Sequence, residues 1–78
     1  MDPDATLRDL IDAVENRDWD QVDTLAYALQ RWLDSTGFPP TTIGPKAMGK
    51  AWHRSIAKFV VSLAKSKAKK ARNRRTRK

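Results

Sequence analysis

Pro39-Pro40 divides the chain. Two successive prolines remove two backbone donors, so no helix runs through this point. The segments on either side must fold as separate elements. Ahead of the prolines, Leu7, Leu10, Ile11 and Val14 recur at i, i+3, i+4 and i+7, the stripe of an amphipathic helix. Val22, Leu25, Ala26, Leu29, Trp32 and Leu33 repeat that stripe, with Trp19 at its edge. Beyond the prolines, Met48, Trp52, Ile56, Phe59, Val60 and Leu63 share about a third of a helical circumference. The expected fold class is all-α, with three helices.

Start and stop signals delimit these helices. Asp2 can cap the first helix and Pro3 suits its first position. Asn16-Arg17-Asp18 interrupts the stripe; Asp18 can cap the second helix, with Gln21 completing a capping box. Ser35-Thr36-Gly37 ends it, Gly37 serving as a left-handed cap and Phe38 folding back on the last turn. The short connection near Arg17 makes the two helices an antiparallel hairpin over residues 1–38. Residues 39–44 form a linker, and Pro45 opens a long third amphipathic helix over 45–64. That helix is expected to lay its large apolar side chains on a groove of Leu10, Val14, Leu25, Leu29 and Leu33, giving one compact domain over 1–64. Val61 then points among lysines, and Gly49 marks close approach to another helix. Residues 65–78 carry nine bases and no large apolar residue, so they form a disordered or frayed basic tail, helical to about Ala71.

Charge separates the same two halves. The formal charge of +7 hides a −6 stretch over residues 1–34, which holds all nine acids, and a +13 stretch over residues 35–78, which holds none. Asp2, Asp4, Asp18 and Asp20 fall in first turns, where they complement the helix dipole. Asp9, Asp12, Glu15, Asp23 and Asp34 form a solvated face. With no Cys there is no disulfide framework, and no apolar run approaches the ~20 residues a membrane span needs. A chain of 78 residues leaves little room for a pocket with convergent polar groups, so it is not expected to be an enzyme and no cofactor is implied.

Three features invite chemistry without supporting it. Gly44-Pro45-Lys46-Ala47-Met48-Gly49-Lys50 fits G-x-x-x-x-G-K, but Pro39-Pro40 stands where a strand is required and Ala51 where a Ser or Thr must bind Mg²⁺. The start of the third helix could still hold one phosphate beside Lys46 and Lys50. His53, alone and without Cys, gives no zinc ligand set and reads as a core-edge residue. Trp19, Trp32 and Trp52 lie on apolar stripes and belong to the core, whereas Tyr27 points outward among acids.

The expected function is binding to the phosphate backbone of DNA or RNA with little sequence preference. Lys46, Lys50, Arg54, Lys58, Lys65, Lys67, Lys69, Lys70, Arg72, Arg74, Arg75, Arg77 and Lys78 supply the cations. No Asn or Gln lies on the basic face of the helix, and Asn73 is alone in the tail, so base readout is not indicated. The alternative is an assembly module whose acidic hairpin binds a basic protein or another copy of the chain. A membrane-surface role needs the apolar face of the third helix to be free, in conflict with its use as the hairpin's cover.

Trp32-Leu33-Asp34-Ser35-Thr36-Gly37-Phe38-Pro39-Pro40 resembles a W-L-x-x-x-G-F-P-P segment of small uncharacterised bacterial and phage-like α-hairpin proteins. With the hairpin before it, the resemblance covers about half of the chain. It implies a microbial or viral setting and no known activity, and it carries over no binding residue. Met1-Asp2-Pro3-Asp4 is acidic where a secretory signal is basic. The expected location is intracellular, whether cytoplasmic, nucleoid-associated or virion-associated.

Overall fold

A computed structural model describes residues 2–35 and 38–76, without the side chains of 73–76. Thr36 and Gly37 of the expected cap lie outside the described residues, as do Arg77, Lys78 and the side chains of Asn73, Arg74 and Arg75. The described chain is helical: α1 (Pro3–Glu15), α2 (Trp19–Asp34), a short 3₁₀ turn (Lys46–Met48) and α3 (Lys50–Thr76).

The helix ends arise from local chemistry. Asp2 accepts hydrogen bonds from the amides of Asp4 and Ala5 at 3.1 and 3.3 Å, with Pro3 in the first turn. At the other end of α1, Arg17 takes a left-handed conformation with φ 58°. Its amide donates to the Val14 carbonyl, and the Asp18 amide donates to Ala13, at 3.1 and 3.0 Å. This is a Schellman closure with Arg in the position that favours Gly. Asp18 caps α2 through the Gln21 amide at 3.4 Å. The Asp18 amide is already spent on Ala13, so the return bond of a capping box has no donor left to satisfy.

The C-terminal carbonyls of α2 are capped from several directions. The Ser35 amide donates to Arg31, its hydroxyl donates to Trp32, and the Arg54 guanidinium of α3 donates to Leu33. The Trp32 indole N–H donates to the Phe38 carbonyl at 2.8 Å, and the two rings meet edge to face with centroids 5.7 Å apart. These contacts give a structural reason for Trp and Phe six residues apart at this helix end.

The core departs from expectation in α3. Leu7, Leu10, Val22, Ala26, Leu29 and Leu33 are buried from α1 and α2, as their stripes predict; Ala13 joins them, whereas Ile11 of the α1 stripe is exposed. From α3, however, the buried side chains are His53, Ala57, Val61, Ala64 and Ala68. Val61 points into the core and not among the lysines. Trp52, Phe59 and Leu63, expected to cover the core, are 43%, 67% and 48% exposed. The reason is steric. Three alanines on one stripe let the α3 backbone approach its neighbours closely, where Trp and Phe would hold the helices apart.

The connection into α3 also differs. The expected helix start at Pro45 is replaced by the 3₁₀ turn, and α3 begins at Lys50. Gly49 separates the two with φ 98°, a conformation L side chains rarely adopt. A Cβ there would meet nothing within 4 Å, so close helix approach is not what Gly49 serves. The linker is fastened by side chains expected to play other roles. Asp4 accepts from the Thr41 amide at 2.7 Å, and the Trp52 indole donates to Ile43 at 2.8 Å. His53, 3% exposed, accepts the Thr42 amide at Nδ1 (2.9 Å) and faces the Pro45 carbonyl through Nε2 (3.0 Å). An amide can only donate and a carbonyl can only accept, so the neutral Nε2–H tautomer satisfies both.

Candidate nucleic-acid interface

The bases of α3 fall into groups with different surroundings. One group faces α2. Lys58 lies 3.4 Å from Asp34, the Lys65 ammonium donates to the Gln30 side-chain carbonyl, and Arg72 pairs with both Asp20 and Asp23. Arg54 belongs here through its bond to the Leu33 carbonyl. A cation at that helix end complements the α2 dipole. In order along the helices, Leu33, Asp34, Gln30 and Asp23 meet Arg54, Lys58, Lys65 and Arg72, so α2 and α3 run antiparallel with a polar ladder along one side. All the partners are side chains or carbonyls of the chain itself. These four residues were expected to be phosphate contacts; the structure places them beside α2. Acids on one helix and bases on the next, both at helical spacing, are what a polar seam requires.

A second group stands apart at the start of α3. Lys46 and Lys50 are exposed on the 3₁₀ turn and the first residue of α3. They lie roughly 25–30 Å from Lys69 at ~1.5 Å per residue, too far to act on the same phosphates as the C-terminal bases.

The third group is the C-terminal part of α3. Lys67, Lys69 and Lys70 are exposed, and nothing among the described residues pairs with them. They point in different directions, since neighbours on a helix are ~100° apart. The helix does not end here: Ala68 is buried, Ala71 is half-buried and the backbone stays helical to Thr76. Packing therefore continues through Arg72, well beyond the expected boundary at residue 64. Arg72 meets Asp20, the second residue of α2, so the next turn of α3 runs past the end of that helix. Arg74 and Arg75 lie on this turn, and Arg77 and Lys78 come after it in sequence.

The aromatic residues do not join this basic end. Trp19 and Trp32 pack against the core, Trp52 fastens the linker, and Tyr27 is exposed beneath the Arg31 guanidinium at 5.7 Å. Among the described residues, no three or more His, Cys, Asp or Glu are grouped to hold a metal ion. None of the described helices is long and apolar enough to cross a membrane. No family model, curated protein or solved structure matches the chain.

Proposed function

We propose that the chain binds the phosphate backbone of DNA or RNA through the C-terminal part of α3, with little sequence specificity. The observation that carries this reading is the exposed set Lys67, Lys69 and Lys70, unpaired among the described residues, on a helix that leads into Arg74, Arg75, Arg77 and Lys78. Clustered cations are sufficient, because affinity comes largely from counterions released by the nucleic acid. The antiparallel hairpin of α1 and α2 serves as the acidic base on which α3 is seated.

The ladder sharpens the arithmetic of the interface. Arg54, Lys58, Lys65 and Arg72 are occupied by α2, and Lys46 and Lys50 are remote. About six or seven bases then act together, at a cost of about 10³–10⁴-fold in affinity between 50 and 200 mM salt. The same ladder weighs against the acidic hairpin as a receptor for a basic protein, because Asp20, Asp23 and Asp34 already face Arg72 and Lys58. Fluorescence anisotropy with a labelled duplex and a labelled RNA across a salt series tests the proposal.

A further inference from the structure

The large apolar residues of α3 are exposed on one continuous strip. Leu10, Ile11, Val14, Val60, Leu63 and Ala64 line an open apolar groove between α1 and α3. Ile11 and Val60 also line its extension toward Ile56 and Ile43, where Phe59 and Trp52 continue the surface. Ile11 is 51% and Ile43 69% exposed, alongside Trp52, Phe59 and Leu63 of α3. So many large apolar side chains on one face mark an interaction surface.

The charges at the rims indicate what covers it. Glu15 on the α1 side and Lys67 on the α3 side border the same stretch of groove. Asp4 and Asp12 extend this rim, which stays net acidic with Arg8 between them, whereas α3 contributes no acid anywhere along its length. An anionic membrane would be repelled by the α1 rim. A second copy would not. A two-fold axis parallel to the groove places the acidic rim of one copy on the basic rim of the other, at the same height. The perpendicular axis sets like charge against like. We infer that this face is the interface of a homodimer, with two α1–α3 grooves packed together and Glu15 of each copy against Lys67 of the other.

This geometry keeps the two α3 helices pointing the same way, so both basic ends emerge from one end of the dimer. Lys67 then serves the interface and leaves six bases for phosphate, while Lys69, roughly 200° around the helix, stays on the outer side. The inference does not depend on nucleic-acid binding, since oligomeric state is measured without any ligand.

Sedimentation equilibrium on the full chain at rising concentration should approach twice the mass of 8.9 kDa. Phe59→Lys should return the mass to that of one chain with an unchanged far-UV circular dichroism spectrum, since the side chain is two-thirds exposed. Glu15→Lys and Lys67→Glu should each weaken dimerisation about tenfold. Mixing these two single variants should restore it, because both cross-contacts are then opposite in sign. Restoration on mixing separates a contact between copies from one within a copy. A single-chain mass at every concentration overturns the proposal, as does a dimer indifferent to Phe59→Lys or a mixture no tighter than its components. A monomer that co-sediments with phosphatidylglycerol vesicles through Phe59 also overturns it, in favour of a lipid surface.

Discussion

Arg72 on α3 lies 3.2 Å from Asp20 on α2, and its other terminal nitrogen meets Asp23. One guanidinium thus holds two carboxylates from the stretch that carries the chain's negative charge. The pairs are exposed, so they add little to stability. On the proposed function, their larger consequence is to withdraw Arg72 from the phosphate-binding set. Replacing both acids, Asp20→Asn with Asp23→Asn, should return it. The slope of log affinity against log salt should then steepen by about 0.9, with a nearly unchanged thermal midpoint. Anisotropy titrations of variant and parent, paired with melting curves, check this.

The identity of the buried α3 face gives a stability prediction. Ala57 is fully buried and Phe59 largely exposed. Ala57→Leu should overpack the contact and cost about 1–3 kcal/mol. Phe59→Ala, measured in dilute solution, should stay within about 0.5 kcal/mol. Urea denaturation of the two variants would show the opposite order if the larger side chains covered the core.

Helix boundaries and the stripes of α1 and α2 were legible in the sequence because they depend on local rules. Asp2, Pro3 and Asp18 cap where their chemistry directs, and apolar spacing marks Leu7, Leu10, Val22, Leu29 and Leu33 for burial. The orientation of α3 was not legible for the converse reason. Its helix carries two apolar stripes, one of large side chains and one of Ala57, Val61, Ala64 and Ala68. Ranking by hydrophobic size selects the first, whereas close approach to α2 selects the second. The basic candidates inherited the same uncertainty, since turning α3 brings Arg54, Lys58, Lys65 and Arg72 against α2. Gly49 reads in the sequence as a point of close helix approach, but its positive φ shows that it stands before α3.

Arg17 offers a test of the α1–α2 connection. Its left-handed backbone strains a residue with a Cβ, and Gly relieves the strain while adding unfolded-state freedom. Arg17→Gly should stabilise the chain by about 0.5–1 kcal/mol and raise the melting temperature by about 2–8 °C. Calorimetry would expose the opposite sign if another conformation held the connection.

His53 fastens the linker to α3 from inside the fold. His53→Ala leaves the Thr42 amide and the Pro45 carbonyl without this partner and opens a cavity, which should cost about 2–4 kcal/mol. Amide exchange at Thr42 should accelerate more than at Leu29 in the core, a local effect that NMR resolves.

Phosphate binding by the end of α3 is decided by the salt dependence of nucleic-acid affinity for the full chain and for a chain ending at Arg72. The shorter chain keeps Ala68 and the Arg72 pairs, so its helix content and melting temperature should barely change. For duplex DNA the full chain should give a slope of about −5 to −6, and loss of Arg74, Arg75, Arg77 and Lys78 should reduce its magnitude by about 3–4. A full chain that binds neither duplex nor RNA, or one whose affinity and slope are unaltered by that truncation, would show that the end of α3 does not hold the phosphates.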